Sequence, residues 1–196
     1  MKIAKIVSSN SHIDYVGRVI DELDSATPPS AEDYGFAQFV GVRFGDNEMI
    51  GVIYNSMLVN PEYANYSPRL SPKPELGNFS PDYLNEQGIL IGILLLGTSE
   101  KSARAQHGIP RGVVPAGADV FKSESEEVNK FHTDENGALQ IHYYSQALAH
   151  AGLFAVPLLE SIIEQLLLDC AESDRQRLNV LKQTLAWQRT LGGMRL

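Results

Sequence analysis

VGRVI at Val16–Ile20, FAQFVGVRF at Phe36–Phe44 and EMIGVIYNSML at Glu48–Leu58 decide the fold of this 196-residue chain. Each run is dense in β-branched and aromatic residues, which pack well on a pleated surface and lose side-chain freedom in a helix. Gly17, Gly41 and Gly51 interrupt them from inside. A glycine there weakens a strand unless the sheet bends sharply or another backbone comes close, as in a tightly coiled barrel. The expected class is therefore α+β: a small antiparallel β-barrel in the first two thirds, followed by helices.

Working outward, Lys2–Val7 forms an opening strand, and DSATPPSAEDYG before Phe36 is a loop, because its prolines cannot extend a ladder. GDN at Gly45–Asn47 makes a hairpin turn between the second and third of the quoted runs. GILIGILLLG at Gly88–Gly97 is apolar on both faces and reads as a central strand covered on either side. Before it, residues 60–87 form a proline- and tyrosine-rich insertion whose Tyr63, Tyr66, Phe79 and Tyr83 pin it to the barrel or present an interaction surface. A closing strand is expected at Ala118–Phe121, after the proline- and glycine-rich run that starts at Gln106. SESEEVNKFHTDENG then reads as a polar, acidic hinge, giving a barrel over 1–135 and a three-helix unit over 136–196.

In that last unit the apolar period lengthens to three or four. Ala138–His150 is the first expected helix. The second, with Pro157 in its opening turn, carries Leu158, Leu159, Ile162, Ile163, Leu166, Leu167 and Cys170 in a stripe wide enough to face more than one neighbour. Leu159, Ile163 and Leu167 are on that ground candidate interaction residues. Ser173 or Asp174 caps the third helix, which Gly192 and Gly193 stop.

The totals narrow the chemistry. A formal charge of −8 disfavours phosphate backbones and anionic lipid, so nucleic acid and membrane are not expected partners. No apolar stretch approaches the roughly 20 residues of a spanning helix, and a cytoplasmic location is expected. Cys170, alone and among leucines, reads as a buried small hydrophobe. His12, His107, His132, His142 and His150 show no metal-ligand spacing, so no metal is expected. No GxSxG elbow occurs, and the acidic run 124–135 lacks the rigid placement a catalytic pair requires. Lys101 and Ser102 stand where a phosphate loop ends, but Leu95 and Glu100 fill its glycine positions, and Glu100 would repel phosphate.

Taken together, Gly17-Arg18-Val19, Gly51-Val52-Ile53 and the proline- and glycine-rich run from Pro110 to Val120 resemble the HAS-barrel, the domain shared by HerA translocases and the heads of ATP synthases. The resemblance covers about the first two thirds of the chain. It implies the barrel and a role in ring assembly or partner docking. It does not imply ATP hydrolysis, because the ATPase motifs that follow the barrel in HerA are missing here. The leading expectation is thus a non-enzymatic assembly or adaptor protein that docks on a protein partner, in the family's case a ring ATPase, with helices for packing or homo-oligomerisation and no cofactor. The alternative is a nucleotide-responsive regulator or enzyme whose site lies between barrel and helices, near Arg104, His107 and Arg111.

Overall fold

A computed structural model describes residues 1–45, 47–59, 88–99 and 105–192. The strands are β1 (Lys2–Ser9), β2 (Asp14–Val19), β3 (Phe39–Phe44), β4 (Asn47–Val59), β5 (Gly88–Thr98), a two-residue β6 (Gln106–His107) and β7 (Asp119–Lys122). Six of them close in the order β2-β1-β7-β3-β4-β5, with β5 returning to β2 and every pairing antiparallel. The antiparallel barrel expected from the sequence is therefore the observed one. β5 is buried along most of its length because it has β4 on one side, β2 on the other and the helix Tyr144–His150 packed against it, and this explains its unbroken apolar run.

Gly51 shows why the strand interiors need glycine. A Cβ there would lie 2.8 Å from Ile93 Cγ2 and 3.0 Å from the Leu94 carbonyl oxygen. The pairing of β4 with β5 slips at this point, between Ile50 and Gly51, and slips again between Ile53 and Asn55. Such bulges add local twist and coil the sheet tightly enough to close.

The run FAQFVGVRF is not strand throughout. Ala37 has φ 64°, a left-handed conformation uncommon for a residue with a side chain, and it redirects the chain so that β3 begins only at Phe39. The corner is held on two sides, with the Ala37 N–H donating to the Ile53 carbonyl at 2.8 Å and the Gln165 side-chain amide donating to the Ala37 carbonyl at 3.0 Å.

Beyond the barrel lie four α-helices among the described residues: α1 (Ser125–Phe131), α2 (Tyr144–His150), α3 (Ala155–Asp169) and α4 (Glu172–Gly192). The stretch expected as a hinge holds α1. Its start is fixed by the Glu127 carboxylate accepting the Glu124 N–H at 3.2 Å, and it buries Phe131 with so few apolar residues that no period shows. The first expected helix is shorter than its pattern. The Asp134 carboxylate accepts the Asn136 and Ala138 N–H groups at 2.8 Å each, forming a turn that leaves only Tyr144–His150 helical. α4 begins at Glu172, so Ser173 and Asp174 lie inside its first turn and do not cap it.

The wide stripe of α3 is already occupied. Leu158, Leu159, Ile162, Ile163 and Leu166 are buried in one hydrophobic cluster that runs from Ile3 on β1 to Leu185 on α4. Leu159 and Ile163, expected to face a partner, are 1% exposed and serve the interior of this chain, while Leu167 packs at the cluster's edge. Phe131 and His132, shortly before the expected boundary at 135–136, are buried, whereas Thr133, Glu135, Asn136 and Gly137 around it are exposed.

Candidate docking groove

β4 has 13 residues, and its neighbour β3 has six. Their ladder starts at Phe44–Asn47 and ends at Phe39–Val52, with one further pair of backbone bonds through Ile53. β5 keeps pairing with β4 out to Val59–Gly88. From Asn55 to Val59, β4 therefore has a strand on one side only, among the described residues.

On the bare side the chain entering β3 forms a facing wall. A 3-10 turn at Ala31–Tyr34 is anchored by Lys122 Nζ on Asp33 Oδ1 at 2.9 Å, and this hydrogen bond holds the Asp33 carboxyl down at about 2. Tyr34 and Phe36 extend from it, and Phe154, from the 3-10 turn ahead of α3, meets Phe36 edge to face at 6.0 Å. Between this wall and Tyr54–Leu58 lies a trough of about 350 Å³. A second depression of about 390 Å³ continues it past Leu58 and Ile89 to Pro28 and Pro29. Leu58 is 82% exposed, and Met57, Phe36 and Phe154 are each more than 40% exposed. Clustered apolar exposure of this kind differs from singly exposed leucines, which are ordinary on a protein surface.

The floor is rigid. Tyr54 donates its hydroxyl to Asp14 Oδ1 at 2.9 Å, and burial, with Asp14 adding to it, pushes the phenol up to about 12. Its ring lies over Gly92, where a Cβ would come within 3.0 Å of it.

His107 and Arg111, expected near a barrel–helix site, do line one cavity of about 360 Å³ together with Glu48. His107 Nε2–H donates to the Phe131 carbonyl at 2.8 Å and Nδ1 accepts the His142 N–H at 3.2 Å, so both ring nitrogens are engaged. Burial holds this imidazole's pKa down, leaving a neutral ring. Glu48 is paired with Arg43. Among the described residues the ionisable lining is thus a neutral ring, one arginine and a paired carboxylate. Arg104 and the tyrosines and phenylalanine of the insertion, Tyr63, Tyr66, Tyr83 and Phe79, lie outside the described residues.

Next to this cavity His132 is buried, its Nδ1–H donating to the Val128 carbonyl at 2.7 Å and its Nε2 accepting the Tyr143 hydroxyl at 2.6 Å. Burial depresses the imidazole to about 4 and pushes the phenol up. The pair is closed to solvent and joins α1 to the chain entering α2. No group of three or more His, Cys, Asp or Glu able to hold a metal occurs among the described residues.

Residues 1–195, nearly the whole chain, match the family described as a domain of unknown function, DUF8166. The chain belongs to that family. No curated protein matches it. For this DUF8166 member the groove was not among the sequence-derived candidates, because its walls come from four separated segments. One signal was present: the 11-residue run Glu48–Leu58, read beside the nine-residue run Phe36–Phe44, must outrun it and leave an edge. No described helix is long and apolar enough to cross a membrane.

Proposed function

We propose that this protein is a docking and assembly module that binds a protein partner through the groove beside β4. The single observation carrying this is that the exposed apolar side chains Phe36, Met57, Leu58 and Phe154 line one trough on the closed barrel. Such a surface costs solubility unless something covers it. A HAS-like barrel used for docking on a ring ATPase is one form of this reading, supported by the six-strand closure and the glycine positions that first suggested the resemblance.

The test is site-specific cross-linking in the native cells from a photoreactive residue at Phe36, with exposed Glu172 on α4 as control position. The captured protein is then purified and titrated against wild type and Leu58→Lys. A partner captured from Phe36 alone, with affinity reduced about tenfold or more by the lysine, supports the reading. Equal capture at both positions, or an unchanged affinity, removes it.

The nucleotide-responsive alternative rests on His107 and Arg111 sharing a cavity. It requires ATP or ADP to raise the melting temperature of wild type and to lose that effect in Arg111→Ala.

A further inference from the structure

We infer that the edge of β4 from Asn55 to Val59, which has no neighbouring strand among the described residues, accepts an extended cationic segment of a partner protein as an added strand. This rests on the docking reading and specifies its geometry. Two observations besides exposure point to it. The first is that the Ser56 N–H, with β5 occupying the other edge of the strand, is taken up by its neighbour's side chain, Asn55 Oδ1 at 2.9 Å. A side-chain amide stands there for the carbonyl that a neighbouring strand would offer. The second is that the edge, Asn55-Ser56-Met57-Leu58-Val59, carries no lysine or proline, the residues with which sheets usually discourage strand addition.

Strand addition uses backbone bonds for affinity and pockets for alternate side chains for specificity, and the trough between Tyr34, Phe36 and β4 supplies such a pocket. Charge selects the partner. Asp21 and Glu22 line one part of the groove, and Glu32 and Asp33 belong to the 3-10 turn of its wall; among the described residues Arg18 pairs with Asp21 at 3.4 Å and Lys122 with Asp33 at 2.9 Å, which leaves acidic charge in excess. A second copy would bring the same carboxylates against themselves, because a two-fold interface joins identical patches. An unrelated segment in which apolar residues alternate with lysine or arginine fits both the trough and its rim.

The experiment uses the full-length protein with three eight-residue blocked peptides: alternating Lys-Val, alternating Glu-Val, and Lys-Val with every second amide N-methylated. Binding is read by fluorescence anisotropy and by slowed amide exchange at Ser56 and Leu58. The Lys-Val peptide is expected to bind and slow both amides. Ser56→Pro, which removes the edge N–H, should weaken it about tenfold, and Asn55→Ala, which frees that N–H, should tighten it severalfold. Equal binding of the N-methylated peptide overturns strand addition, and equal binding of the Glu-Val peptide overturns the charge assignment. If no peptide binds while the cross-linked partner still depends on Leu58, strand addition is wrong and docking stands. If Leu58→Lys leaves the partner's affinity unchanged, docking itself falls.

Discussion

Ala37 sets the corner on which the groove depends, and it does so at a backbone angle that suits glycine better. A side chain in the left-handed region costs roughly 1–2 kcal/mol, and a β-branched one costs more because its second branch clashes with the backbone. Ala37→Val should therefore lose more than about 2 kcal/mol in urea unfolding. Ala37→Gly should stay within about 1 kcal/mol of wild type, since relieved strain offsets added chain entropy. His132 gives a second residue-level prediction. Its folded value, about 4, lies below the ordinary 6.5, so between those values the unfolded chain takes up a proton that the folded chain does not. The stability associated with the neutral ring is complete above about pH 6.5, falls as pH drops toward 4, and levels off below, a change on the order of 3 kcal/mol. His107, also held down by burial, adds loss in the same direction. Urea midpoints between pH 4 and 7 should show a slope that His132→Gln flattens; an unchanged slope would place the acid sensitivity elsewhere. Neither histidine's role was legible in the sequence, where spacing tests for metal ligands and is silent about a ring whose partners are backbone carbonyls and a tyrosine.

Among the elements, β4 and α3 show what periodicity can and cannot give. The strands were legible because β-branched residues, inner glycines and turn residues agree with one another. α3 was legible as a helix, but its width was misleading: a stripe with more apolar residues than one neighbour needs resembles a free face until three neighbours are found around it. In the structure those neighbours are the barrel, α2 and α4. Leu159→Ala should accordingly cost about 3 kcal/mol, as a cavity in a packed core does, and Leu168→Ala, at an exposed position of the same helix, less than about 0.5 kcal/mol. Gly51→Ala should lose on the order of 1–3 kcal/mol, because the new methyl meets the Leu94 backbone, which cannot swing aside. Near-equal losses for the two leucines would mean that α3 does not pack as described. The short α1 escaped sequence reading because a seven-residue helix buries few side chains and shows no period.

At the scale of the whole molecule, one cluster of buried residues spans barrel and helices. Thermal unfolding should thus be a single transition by both calorimetry and circular dichroism, and a chain ending at residue 135 should lack a cooperative melt; two separated transitions would show that the helices form an independent unit. The sheet has a further consequence in its connectivity. β7 is the strand that lies between β1 and β3, pairing Lys5 with Asp119 on one side and Val42 with Val120 on the other. During synthesis the first and third strands leave the ribosome long before the residues that bridge them. The nascent chain therefore carries two unzipped margins until Lys122 emerges, and further translation adds the helical cover. Slow codons or a pause ahead of that point lengthen the interval in which a growing chain can stick to its neighbours, and a holdase acting on nascent chains would find its substrate there.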